Sequence, residues 1–140
     1  MRWEEGLIVS CLVDTDVCID FLCEREYSRT LLRKWLAQGS LSISAITHLE
    51  IYAGMRKSEE SATDTFLNLI VTIPVDEMIA RSAGEIIRHL KSKGITISPS
   101  DSIIAASALF TNVPLITNNI SDYPVAAISG LVVVKGILFA

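Results

Sequence analysis

The sequence predicts an α/β fold in three layers, a parallel sheet covered by helices on both faces. Three observations carry this. Short β-branched apolar runs alternate with longer helical patterns; half of the residues are hydrophobic and a fifth charged; and no Pro/Gly/Ser linker, repeat or low-complexity tract divides the 140 residues. A chain of this length has room for one core. A single α/β/α unit over residues 1–140 is expected, with its core at about 8–134 and residues 1–7 as an N-terminal extension.

Ile8 to Val13 is an apolar run that stops at Asp14, the pattern of a central strand opening onto a functional edge. Asp16 to Cys23 reads as a short helix. Ser28 to Gln38 reads as a second, with Ser28 as N-cap, Leu31, Leu32, Trp35 and Leu36 on its buried face, and Gly39 past its end. Leu41 to Ser44 is the next strand, and about Ile46 to Lys57 the next helix, carrying Leu49, Ile51 and Tyr52 beside Glu50. Ser61 to Leu69 continues as its partner in a helical hairpin, and Val71 to Val75 is a third strand. Asp76 to Lys93 has the period of a long amphipathic helix that Gly94 ends. Asp101 to Phe110 is apolar nearly all round, so it should lie buried on the sheet. Pro114 to Thr117 and Leu131 to Val134 supply the last two strands.

Gly6–Val13 and Leu131–Ala140 are far shorter than the roughly 20 apolar residues a membrane span needs. Glu4 and Glu5 spoil the basic start of a signal peptide, so a cytoplasmic protein is expected. Cys11, Cys18 and Cys23 lie in apolar segments without CxxC spacing and read as buried thiols. His48 and His89 share no ligand spacing and read as solvated or singly hydrogen-bonded. A net charge of −4 sits badly with a polyanionic ligand until the acids are sorted. Setting aside Asp14, Asp16, Asp20, Glu50, Asp101 and Asp122 leaves ten acids against 12 Lys and Arg. The remainder is slightly basic, and bound cations would neutralise much of the cluster.

In doubly wound sheets, ligands bind beyond the carboxyl ends of the strands. Asp14 ends the first strand, Glu50 follows the second, Asp101 opens the helix feeding the fourth, and Asn118, Asn119 and Asp122 follow the fourth. Carboxylates gathered there repel one another and resist ionisation unless a cation is present. Hard oxygen ligands without His or Cys favour Mg²⁺ or Mn²⁺, and such ions serve phosphodiester hydrolysis. Each acid also has a purely structural reading. Asp14 could cap the following turn, Thr47 with Glu50 fits a capping box, and Asp101 after Ser98 and Pro99 fits a helix start. Asp122 before Tyr123 and Pro124 could be a turn residue. All four nevertheless fall where the topology would bring them together. Asp16 is close enough to Asp14 to join the same shell, whereas Asp20 reads as solvated or at the rim. The Lys and Arg residues show no aromatic-interleaved stripe, so no base-reading code is present.

The segments LVDTDVCIDFL, SISAITHLEIYAGM, SPSDSIIAASAL and LITNNISDY resemble, in order, the four acidic motifs of PIN-domain toxins of the VapC family. The resemblance runs from about Ile8 to Val134. It implies a five-stranded parallel sheet in an α/β/α sandwich and a Mg²⁺- or Mn²⁺-dependent ribonuclease that inhibits translation. Asp14, Glu50, Asp101 and Asp122 match the family's acidic quartet, Asn119 a neighbouring polar position, and Thr15 and Thr47 residues that orient the acids. It further implies an RNA substrate (a tRNA or other structured RNA), a homodimer, and a VapB-like antitoxin whose tail enters the site. Two positions depart from the pattern: Asp16 replaces the commoner Asn, and Asn118 stands where many relatives carry Arg.

Two rival readings remain. A receiver-type phosphoacceptor would need an isolated Asp after the third strand and a Lys after the last, for which Asp76 and Lys135 are poorly framed candidates. A PIN-like binding protein without nuclease activity would have little reason to keep four costly acids.

Overall fold

The computed structural model describes residues 6–138. Residues 1–5 of the N-terminal extension lie outside them. The strands are β1 (Val9–Val13), β2 (Ser40–Ser44), β3 (Val71–Ile73), β4 (Leu115–Thr117) and β5 (Val133–Lys135). The helices are α1 (Thr15–Leu22), α2 (Glu26–Leu36), α3 (Ala45–Gly54), α4 (Glu60–Asn68), α5 (Glu77–Ser92) and α6 (Pro99–Thr111). All strand pairs are parallel, in the order β3-β2-β1-β4-β5. The expected five-stranded α/β/α sandwich is therefore the fold.

β1 is central because both its faces are apolar, and consecutive residues feed opposite cores. Leu12 joins Ile104, Ala105 and Leu115 under α5 and α6, while Cys11 and Val13 join Val17, Leu31 and Ile116 under α1 and α2. Burying each large aliphatic side chain contributes about 1.5–3 kcal/mol. The short Ala side chains of α6 let that helix sit close on the sheet, which sets Asp101, in its first turn, near the sheet edge. Ser98 caps α6 through Asp101 N at 3.1 Å, and Pro99 fills the first helical position, as expected. Asp76 likewise caps α5 by accepting from Ile79 N at 2.9 Å, which gives it a structural role.

Four local readings are corrected. α2 starts two residues before Ser28, whose buried hydroxyl bonds the Arg25 carbonyl inside the first turn. Leu36 faces solvent instead of the core, because the buried face of α2 is spent on Ser28, Leu31 and Leu32. α3 is capped by Ser44, not Thr47, and Thr47 and Glu50 turn to Thr15 instead of forming a capping box. Cys23 is exposed, while Cys11 and Cys18 are buried, with burial pushing the Cys11 thiol up to about 12. Only the thiolate is nucleophilic, so a disulfide-exchange reagent should titrate one thiol per native chain and all three in denaturant. Two or more fast-reacting thiols in the native protein would contradict this packing. Among the described residues the His48 side chain bonds Thr72, Nε2 to Oγ1 at 2.8 Å, in keeping with its reading.

Candidate active site

The chain winds outward from β1 to β2 and β3, then returns to lay β4 and β5 on the other side. The carboxyl ends of β1 and β4 therefore diverge at a switch point, where the loops part and leave a crevice. Asp14 directly follows β1 and Thr117 ends β4, so the two face each other across it.

Asp14 is 6% exposed, and both of its carboxyl oxygens are engaged. Oδ1 accepts from Thr15 N at 2.8 Å, which caps α1, so the turn-capping reading of Asp14 holds alongside any other role. Oδ2 accepts from Thr117 Oγ1 at 2.7 Å and from the Tyr123 hydroxyl at 3.0 Å. The same phenol lies 3.3 Å from Asp101 Oδ1 and so links acids from β1 and α6. On the β2 side, Thr15 Oγ1 bonds Glu50 Oε1 at 2.7 Å and the buried Thr47 Oγ1 at 3.1 Å. Asp16 accepts from Val17 N and Asn118 N and lies 3.4 Å from Thr117 Oγ1. Asp122 is exposed in a 3-10 turn, close enough to raise the Asp101 carboxyl electrostatically. Asn119 is exposed, and its backbone N–H caps Thr117 Oγ1 at 3.0 Å.

The eight residues singled out in the sequence thus gather at one sheet edge. Asp20 stands at the rim, paired with Arg25 at 3.3 Å and accepting from the Tyr27 hydroxyl. Asn118 tethers rather than projects, donating from Nδ2 to Tyr27 and accepting from Ile137 N. Thr117 and Tyr123 escaped the sequence reading. The signal for Thr117 was a hydroxyl residue closing a strand at the functional edge; for Tyr123 it was an aromatic with a polar tip beside an acid.

Burial first, and then the Asp16 charge, pushes the Asp14 carboxyl up to about 6. Burial also raises Asp16 and Asp101. Arg25 pairs with Asp20 at the rim of the site, while the Arg29–Glu24, Arg56–Glu59, Lys57–Glu60 and Arg81–Glu85 pairs engage none of the eight gathered residues. With divalent cations chelated, folding takes up a proton on Asp14 between its ordinary 3.8 and about 6. That contribution is complete below the lower value and lost as pH rises through the upper. It is worth about 3 kcal/mol at most. The chelated protein should melt higher at pH 5 than at pH 7.5, and Asp14→Asn should reduce that slope. An unchanged slope in the variant would contradict the placement of this charge.

Among the described residues no three His, Cys, Asp or Glu side chains close on one point as a finished metal cage. The acids are instead linked through Thr15, whose backbone N–H holds Asp14 and whose hydroxyl holds Glu50, and through the hydroxyls of Thr117, between Asp14 and Asp16, and Tyr123, between Asp14 and Asp101. The donor chemistry nonetheless fits a hard divalent cation: oxygen ligands only, and carboxylates whose ionised form is disfavoured by burial and by one another.

An all-parallel α/β/α domain with acids gathered at its switch point is the class that fold and site define. The sequence model of the PIN domain matches residues 11–122, and the chain belongs to that family. Within it the chain is similar to VapC proteins: it is 32% identical to "Ribonuclease VapC19" of Mycobacterium tuberculosis (strain ATCC 25618 / H37Rv), over 81% of this chain and 91% of that one. Among solved structures, a toxin–antitoxin complex from Klebsiella pneumoniae superposes with a TM-score of 0.76 at 30% identity, over 91% of this chain and 98% of that one. VapBC2 from Rickettsia felis, bound to a promoter DNA fragment, shares the fold with a TM-score of 0.80 at 24% identity over the same shares of the two chains.

Proposed function

We propose that the protein is a divalent-metal-dependent endoribonuclease, the toxin of a toxin–antitoxin pair that inhibits translation. The observation that carries the reading is the convergence on one crevice of Asp14, Glu50, Asp101 and Asp122, which come from four separate stretches of chain. Asp14, Glu50, Asp101 and Asp122 hold Mg²⁺ or Mn²⁺, with Asp16 at its margin. Thr15 orients Glu50 while Thr47 supports Thr15, and Asn119 steadies Thr117 through its backbone. When bound, the ion lowers the pKa of an attacking water and offsets charge on the leaving oxygen of the phosphodiester. The residues themselves hold the acids along one crevice, Asp14 through Thr15, Thr117 and Tyr123 and Glu50 through Thr15, and the buried floor under them limits access of bulk water.

The substrate is structured RNA, and the chain acts in the cytoplasm as a homodimer restrained by a VapB-like antitoxin. Among the described residues no helix is long and apolar enough to cross a membrane. A groove of about 430 Å³ lined by Phe21, Leu32, Leu36, Leu41, Phe66 and Leu69 gives a protein partner apolar surface to cover. The test is incubation of the purified chain with structured RNA, with chelator, Mg²⁺ or Mn²⁺. Defined fragments that need the cation are expected. No cleavage under any condition would overturn the reading in favour of a binding protein.

A further inference from the structure

We propose that Tyr123 is a positioning residue of the cation site: its hydroxyl lies between Asp14 and Asp101 and leaves Asp14 a single acceptor position with which it would hold a cation. This rests on the reading of the acids as a divalent-cation site. Tyr123 is 1% exposed, and its ring belongs to the core under α6, beside Ile104 and Leu115. A residue that only filled this core would need no hydroxyl, and burying one requires a partner. It lies between two acids: its one hydrogen goes to Asp14 Oδ2 at 3.0 Å, the shorter contact, and Asp101 Oδ1 lies 3.3 Å from the same phenol oxygen.

Lone-pair counting shows what the phenol does. A carboxylate oxygen accepts about two hydrogen bonds. Asp14 Oδ2 receives Thr117 and Tyr123 and is filled; Oδ1 receives Thr15 N and keeps one position. Asp14 is thereby limited to a single ligating direction. The phenol also occupies the space between two like charges and holds them at a set separation across its oxygen. Without it Asp14 keeps Thr15 and Thr117 but the connection to Asp101 is lost, and an arriving ion must draw the two carboxyl groups together. Loss of such outer-shell partners typically weakens metal binding about 10–100-fold.

The position of Tyr123 follows from the turn that bears Asp122. The 3-10 turn Ile120–Asp122 closes with Tyr123 N bonded to Ile120 O at 3.1 Å, so one turn sets Asp122 at the surface and the phenol beneath. A single turn thus carries a candidate ligand and the group that aligns two others.

Tyr123→Phe removes the hydroxyl and keeps the ring. Mn²⁺ affinity of the full chain, measured by titration calorimetry without RNA, should fall about tenfold. The chelated protein should keep its melting temperature to within a few degrees, and kcat should fall more than KM changes. In an Asp101→Ala background, where the Oδ1 partner of the phenol is gone, the same substitution should have a much smaller effect on Mn²⁺ binding. Wild-type Mn²⁺ affinity in Tyr123→Phe, or additive losses in the double variant, overturns the proposal. An Asp14→Asn variant that binds Mn²⁺ as tightly as the wild type overturns the cation-site reading itself. A second measurement avoids any change at Tyr123: fluorotyrosine-labelled protein titrated with Mg²⁺, with Tyr27→Phe and Tyr52→Phe assigning the other resonances. The Tyr123 resonance should move to saturation, and a stationary one sinks the proposal.

Discussion

Asp14→Asn should lower RNA cleavage by on the order of 10³-fold while leaving the fold intact. Asp14 is the acid nearest the centre of the network, with hydrogen bonds to Thr15, Thr117 and Tyr123. An amide retains the shape, and its oxygen can still cap α1 through Thr15 N. What it removes is the negative charge, which is the property a cation needs and burial penalises. In the metal-free protein the amide resembles the protonated carboxyl, the form favoured below about pH 6. The chelated variant should therefore melt at or above the wild-type temperature at pH 7.5. Lost activity with an equal or higher melting temperature separates a functional charge from a structural one. Cleavage at the wild-type rate would remove Asp14 from the site.

Asp101→Asn should be comparably inactive for a different energetic balance. Asp101 is only half-buried, and the cap of α6 depends on its backbone N–H and the Ser98 hydroxyl, both of which survive the substitution. The variant gives up the favourable placement of a carboxylate in the first turn of a helix, about 0.3–1 kcal/mol. It gains relief from burial and from Asp122, the causes that raise this carboxyl. These nearly cancel, so its melting temperature should stay within a few degrees of wild type and show less gain than Asp14→Asn. A large loss of stability would mean that Asp101 serves the helix start and not the crevice.

The features that obey local rules were legible before any coordinates. β1 ends at Asp14 because a doubly buried strand reads as an uninterrupted apolar run, and Ser98, Pro99 and Asp101 spell out the start of α6. Ser28 misled because its hydroxyl can cap a helix or bond back within one, and packing against the sheet favoured the second. Leu36 continued an apolar spacing beyond the stripe that the sheet covers. Thr47 and Glu50 fitted a capping box, yet Thr15, 32 and 35 residues away in sequence, offered better partners. The hydroxyl bridges were beyond reach for a similar reason: Thr117 and Tyr123 meet Asp14 across 103 and 109 residues, and no local pattern records such a contact.

The convergence of distant acids on one divalent ion is tested most directly by anomalous scattering from crystals of the full chain grown with Mn²⁺. The expected result is a manganese peak in the crevice between the ends of β1 and β4, within coordination distance of Asp14 and Asp101 and absent from Asp14→Asn crystals. A crevice without a peak at saturating Mn²⁺, or manganese bound only at other acids, would contradict it.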